Sequence, residues 1–353
     1  MSYKVMILGG DGCGPEVTNQ SLKVIRSLNR KYGYDIQMTE DLIDAVSIKR
    51  HGVALTDKVL NQCLESDAVL LGAVGDPKQD KLPYEQRPEA ALLKLRKEMG
   101  VYTNLRPVKI FPQLAEQCPL KPTNYNYDVD LMFVRELTGG IYFGKRERTE
   151  NGAFDTEEYS VADINRILDR AIEIARSRKH RLTLVDKANV LATSRLWREL
   201  TKAREAANKD IRFEYIYVDN AAMQLLINPR QFDTIVTTNL FGDILSDEAS
   251  VLAGSIGMLP SASLGDGKRG LYEPVHGAAP DIAGKNVANP IGSILSAAML
   301  LRYSLGLTEA ADEVEKAVSD VLSDNWRTSD IYCGRGFRVE GAVIGSEIAK
   351  RIK

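Results

Sequence analysis

Asp243 and Asp247 stand four residues apart in the line Asn239-Leu240-Phe241-Gly242-Asp243-Ile244-Leu245-Ser246-Asp247-Glu248. On a helix that spacing puts both carboxylates on one face, with Cβ atoms about 5–6 Å apart. Such a pair repels itself and stays ionised most readily beside a cation or a guanidinium. Its hard oxygens suit Mg²⁺ or Mn²⁺. An acidic first helical turn, stabilised by the helix dipole, is the commoner use of the same pattern. The preceding Thr234–Thr238 reads as a strand, Gly242 as the turn out of it, and Asp243 as the opening of an apolar-periodic helix.

Other residue types could serve acid–base or carboxylate chemistry. Arg96 closes the helix-like Glu89–Arg96, Arg106 lies in Asn104-Leu105-Arg106-Pro107, and Arg135 follows the strand-like Asp130–Val134. A planar guanidinium pairs with a carboxylate through two hydrogen bonds, so three of them suit a di- or tricarboxylic ligand; ordinary surface ion pairs are the alternative. Tyr142 stands between glycines in Thr138–Gly144, either where backbone approaches a ligand or as a packed strand aromatic. Lys187 lies just past the strand-like Leu182–Val185, where burial or a nearby metal would lower its pKa toward that of a base. A solvated lysine at a strand end is the plainer reading. Asp219 ends the strand-like Phe213–Val218, at the edge where open α/β sheets present ligand groups, or else as a helix cap.

Glu273–Lys285 is too rich in small residues to be core. Its glycines and alanines let backbone N–H groups approach phosphates. Asp281 offers ribose hydroxyls an acceptor and repels a 2′-phosphate, which favours NAD over NADP. His276, taken alone, reads as a structural histidine. The run Gly10-Asp11-Gly12-Cys13-Gly14-Pro15 follows a strand and precedes a helix but fails the Gly-x-Gly-x-x-Gly spacing from either glycine. It reads as a tight turn with Pro15 at the first helical position.

The elements that must carry these residues alternate in type. Strand-like Val5–Leu8, Ala68–Leu71, Leu182–Val185, Phe213–Val218 and Thr234–Thr238 are interleaved with helical patterns such as Pro15 to Tyr32. This predicts an α/β fold with a mostly parallel sheet covered by helices. Ile141–Tyr159 breaks the alternation; its aromatics, charges and Glu150-Asn151-Gly152 predict a hairpin arm. The 353 residues suffice for two domains. With 46 basic and 48 acidic residues and no basic stripe, no nucleic-acid partner is expected. Four cysteines without CxxC spacing argue against a zinc site or a disulfide framework and fit a reducing cytosol. No apolar run reaches membrane-spanning length, and Met1–Leu8 reads as a first strand, not a signal peptide.

Several segments together resemble one family. They are Leu70–Gly75, Arg87-Pro88-Glu89, Leu92–Lys97, Lys187 to Trp197, Asn239–Gly265 and His276–Asn289. Over essentially the whole chain the resemblance is to the β-decarboxylating dehydrogenases of 2-hydroxy acids: isocitrate, isopropylmalate, homoisocitrate, tartrate and D-malate dehydrogenases. It implies a two-domain fold with a large mixed, mostly parallel sheet that is not a true Rossmann fold, and a protruding β-arm at about 141–159. It implies a discontinuous NAD-binding domain, residues 1–103 plus 254–353, and a domain for dimerisation, metal and substrate, residues 104–253. Arg96, Arg106 and Arg135 would hold the malate carboxylates. Asp243 and Asp247 would bind Mg²⁺ or Mn²⁺, with Asp219 donated by the second subunit of a homodimer. Lys187, from that subunit, would take the hydroxyl proton, and Tyr142 would supply a proton after decarboxylation. His276, Gly277, Ala278, Ala279, Pro280, Asp281, Ala283, Gly284 and Asn289 would bind the adenosine half of NAD, with Glu89 near the nicotinamide.

Substrate choice would rest on Glu89, Leu92 and Leu93, with Val190 also at the substrate. Two leucines at a helix edge suit an isopropyl group better than an extra carboxylate, although a methylene is worth only ~1–3 kcal/mol. The expected reaction is therefore NAD-dependent oxidative decarboxylation of an isopropyl-bearing malate in cytoplasmic leucine biosynthesis. D-malate or tartrate is the alternative, and a silent regulatory subunit is the reading from another class. Asp76, Gln79, Cys13 and Asp41–Gly52 depart from the family pattern, and none is an expected catalytic position.

Overall fold

The computed structural model describes residues 2–126 and 128–352. The chain divides into two compact units: Met1–Val101, Phe111–Gln117 and Ala253–Lys353 form the first, Tyr102–Ile110 and Cys118–Leu252 the second. The main sheet of the first has five strands in the order Asp35–Asp41, Ser2–Gly10, Ala68–Ala73, Gly270–Pro274, Pro260–Leu264, beside a short pair of Trp326–Arg327 with Phe337–Arg338. All neighbours among the five are parallel except Gly270–Pro274 and Pro260–Leu264, which are antiparallel. Ala68–Ala73 is buried at every residue, as expected of a strand covered on both faces. Helix Ile291–Tyr303 is buried almost all round, and helices Gly14–Tyr32 and Thr308–Ser323 pack against it.

The second unit repeats the logic. Its strands run Thr103–Lys109, Asp130–Glu136, Thr234–Thr237, Arg181–Asp186, Arg212–Tyr217, with only the first antiparallel to its neighbour. Helix Val161–Ser177 opens on a reciprocal cap between Ser160 and Asp163 and buries an apolar stripe of Ile164, Ile167, Leu168, Ala171, Ile172 and Ala175. Trp197, wholly buried on the helix Ala192–Ala207, packs edge-on against Tyr159 at 5.4 Å. Strands Arg146–Thr149 and Gly152–Asp155 form an exposed antiparallel hairpin across Glu150-Asn151.

Four local readings are corrected. The helix bearing Asp243 spans Asn239–Ser250, so Gly242 lies inside it and does not turn the chain. A Cβ at Gly242 would lie 2.7 Å from Arg135 Cγ, so close packing, and not a turn, requires the glycine. Asp243 therefore sits beyond the first turn, which contains no acid, and the dipole-cap reading fails. Tyr142 ends a single 3₁₀ turn, Gly140–Tyr142, where a strand aromatic was the alternative; Gly140 has φ +75°. Helix Gly14–Tyr32 starts one residue before Pro15.

Candidate active site

Strand register explains how Arg106 and Arg135 meet. Asn104 lies opposite Arg135 across the antiparallel pair, and Arg106 is two residues further, so all three project from one face. Thr237 lies beside Arg135 on the other side, which delivers the start of helix Asn239–Ser250 to the same place. Helical spacing then presents Asp243 and Asp247 to the guanidiniums.

The resulting cluster is closely coupled. Arg135 pairs with Asp243 Oδ1, which Arg106 also meets at 3.2 Å; Arg106 reaches Asp247 Oδ1 at 2.9 Å. The two arginine residues are 8% and 2% exposed, so these are not surface ion pairs. The guanidiniums are buried while the Asp243 and Asp247 side chains are 34% and 51% exposed, so loss of either carboxylate would leave a buried positive charge without that partner. Arg106 is further held by Asn104 Oδ1 at 2.8 Å and Ser246 Oγ at 2.8 Å. The Tyr142 hydroxyl donates to Asp243 Oδ2 at 2.9 Å. Burial and the Asp243 carboxylate push this phenol up to about 12, so it carries its proton at neutral pH.

Asp243 and Asp247 are the hard-oxygen pair expected of a divalent-ion site. Among the described residues no group of three histidine, cysteine, aspartate or glutamate side chains stands together to hold a metal. Two carboxylates on one helix therefore fit part of a coordination shell, and a further protein ligand would have to come from elsewhere. Lys187 and Asp219 form a separate pair at 2.6 Å, with side chains 27% and 65% exposed. Asp219 lies in the first turn of helix Val218–Ile227, and the Lys187 ammonium holds its carboxyl below the usual range. Val190 is exposed nearby in sequence.

In the first unit the small-residue loop is docked on the glycine turn. Cys13 N–H donates to Ala278 O at 2.8 Å, and a Cβ on Gly12 would lie 2.0 Å from that oxygen. Glu16 accepts from the backbone N–H groups of Gly284 and Asn286. Ala279 has φ +42°, a conformation that costs an alanine strain and holds the loop in one shape. His276 Nδ1 lies 2.9 Å from Gly277 O, while its Nε2 is buried without a hydrogen-bond partner. Burial holds this imidazole below its usual pKa, so it is neutral. An unfilled buried nitrogen suits a polar ligand, and the exposed Gly277, Pro280, Asp281 and Gly284 leave the loop open to one. Ala283 belongs to the same turn, and Asn289 is tied to Asp330 at 3.0 Å and to Ile291 N–H at 3.0 Å.

The remaining expected residues lie on or beside helix Pro88–Glu98. Arg96 is buried and pairs with Glu273 within the first unit. Ala91 and Leu95 face the core, whereas Leu92 and Leu93 are only half-buried and Glu89 is exposed. Asn104, Asn239, Ser246, Glu16 and Glu273 were not singled out from sequence. Asn104 meets Arg106 two residues along its own strand, whereas Asn239, Ser246, Glu16 and Glu273 each find their partner on a different element.

The model for the family described as isocitrate/isopropylmalate dehydrogenase matches residues 4–349. The chain is 50% identical over 357 residues to the 3-isopropylmalate dehydrogenase of Anaeromyxobacter dehalogenans, covering 100% of both. It is 51% identical over 358 residues to that of Oleidesulfovibrio alaskensis, again covering 100% of both. The solved isocitrate dehydrogenase of Methylococcus capsulatus is similar at TM-score 0.87 and 31% identity, over 99% of each chain.

Proposed function

The chain belongs to the isocitrate/isopropylmalate dehydrogenase family, and from that premise we infer that it is an oxidoreductase acting on (2R,3S)-3-isopropylmalate in leucine biosynthesis. The products are 4-methyl-2-oxopentanoate, CO₂ and NADH. Full-length identity near one half to 3-isopropylmalate dehydrogenases carries this reading. The half-buried Leu92 and Leu93 support an apolar wall for the isopropyl group.

The residue roles follow from chemistry. Arg106 and Arg135 bind the substrate carboxylates, and Arg96, in the first unit, takes the same role by resemblance. Asp243 and Asp247 hold a Mg²⁺ or Mn²⁺ ion. When bound, the ion would supply Lewis-acid positive charge beside the substrate oxygens, and NAD would accept the hydride. Two guanidiniums and two carboxylates nearly cancel, so a dication restores the positive charge that a dicarboxylate requires. Lys187 accepts the hydroxyl proton while the carbon is oxidised. Tyr142, protonated and hydrogen-bonded in place, gives a proton to the carbon skeleton after the carboxylate departs. The His276–Asn289 loop, with Asp281 toward the ribose, selects NAD.

Lys187 and Asp219 act across a homodimer. The exposed apolar side chains Met223, Leu226, Ile227 and Ile244, on helices Val218–Ile227 and Asn239–Ser250, support a covered face.

The test is NADH formation with Mg²⁺ and isopropylmalate, D-malate, tartrate, isocitrate or homoisocitrate. Isopropylmalate should give the highest kcat/KM; a preference for D-malate overturns the substrate. Lys187→Met should abolish hydride transfer while NAD still binds, and near-normal turnover would refute the base.

A further inference from the structure

Asn239 takes no part in the chemistry above, yet its side chain is fully committed. It is fully buried at the start of its helix. Its Oδ1 accepts from Arg135 Nε at 2.9 Å and Nη2 at 2.7 Å. Its Nδ2 donates to Leu137 O at 3.2 Å and Gly139 O at 3.1 Å. These carbonyls begin the segment that delivers Tyr142. One amide therefore joins the guanidinium of Arg135 to the turn that carries the tyrosine. A neutral amide suits the position because it presents an acceptor to Arg135 and donors to the carbonyls.

The connection is itself held. Asn239 N–H donates to the Tyr159 hydroxyl at 2.9 Å. Tyr159 is buried against Trp197 and fills the space that a Cβ on Gly139 or Gly140 would need, 2.7 Å and 2.4 Å from its atoms. Glu136, also buried, accepts from Thr138 N–H at 2.9 Å and Gly139 N–H at 2.7 Å. The turn is thus gripped at its carbonyls by Asn239, at its amides by Glu136 and along its glycine face by Tyr159. Buried groups with every partner in place specify one geometry.

We infer that Asn239, locked by Tyr159, is a positioning residue that sets Arg135 and Tyr142 relative to each other. The inference rests on the roles proposed for those two residues. Asn239→Asp separates the two connections: it keeps an acceptor for Arg135 but replaces the doubly donating Nδ2 with a single oxygen facing both Leu137 O and Gly139 O. Asn239→Leu removes both. Tyr159→Phe removes only the hydroxyl behind Asn239.

With Asn239→Asp, KM for the hydroxy diacid should stay within about threefold while kcat falls roughly 10- to 100-fold. Stopped-flow absorbance should then show a burst of NADH, because hydride transfer precedes the step assigned to Tyr142. Asn239→Leu should also raise KM about tenfold. Tyr159→Phe should lower kcat several-fold with the burst retained. A merely structural role would reduce the amount of folded enzyme and leave KM and burst per active site unchanged.

Tyr142→Phe and Arg135→Gln are run beside these variants. Without a burst in the first or a raised KM in the second, the roles proposed for those residues fail, whatever Asn239 does. If both controls behave as expected while Asn239→Asp and Tyr159→Phe keep wild-type kcat, or lose it without a burst, the inference is overturned. Should the Asn239 variants not fold, Tyr159→Phe alone decides.

Discussion

Residue chemistry in this chain is set as much by what surrounds a group as by its type. Tyr142 and Asp44 both hold their protons more tightly than the free groups do, one beside a partner and one without. Tyr142 has an assigned partner in Asp243, and the environment keeps its proton where an acid needs it. Asp44 is fully buried at φ +67°, and neither carboxylate oxygen has a hydrogen-bond partner. Burial, with the like charges of Asp11, Glu273 and Glu89, pushes it well above the usual carboxylate range. A folded pKa above the unfolded one gives stability that is complete below about pH 4 and is lost as pH rises through the folded value. Asp44→Asn tolerates the left-handed backbone and removes that loss. It should raise Tm at pH 8, with the gain vanishing toward pH 4; a Tm series showing an equal or lower midpoint at pH 8 would refute this.

Elements carry demands that single residues do not reveal. Helix Asn239–Ser250 contains Gly242, which costs an isolated helix about 1 kcal/mol relative to alanine. The helix accepts it because Arg135 Cγ would lie 2.7 Å from a Cβ there. Gly242→Ala should therefore improve local propensity yet displace Arg135, raising KM for the hydroxy diacid about tenfold, the effect of roughly 1.4 kcal/mol. Steady-state kinetics beside a melt would check it, and unchanged KM would remove the packing role. The Asp243/Asp247 spacing was legible because a helical face is a local property. Gly242's role was not, because the atom that requires it is more than a hundred residues away.

For the whole molecule, the proposed chemistry divides between copies. Met223, Ile227 and Ile244 are 49%, 52% and 57% exposed on helices whose other faces are packed, an arrangement that water does not favour. Lys187 and Asp219 lie on the same unit as Asp243, already paired with each other. Ile227→Glu should bury a charge in the proposed interface and shift sedimentation from dimer to monomer. Specific activity should fall with it, because the lysine of the second copy is lost. A wild-type chain that sediments as an active monomer would dispose of the shared site.

Sequence by itself determined the α/β class, the strands read at Ala68–Leu71 and Leu182–Val185, which extend to Ala68–Ala73 and Arg181–Asp186, the hairpin near Glu150 and the family, since period, turn chemistry and ordered motifs are written along the chain. Tertiary structure alone decided which atoms meet: Arg135 with Asn239 and Asp243, Tyr142 with Asp243, Arg96 with Glu273, and Cys13 with Ala278. Such contacts depend on strand register and on the exit of a helix beside a distant strand. No local propensity records either, because each is fixed only when the sheet has assembled and the buried charges have found their partners.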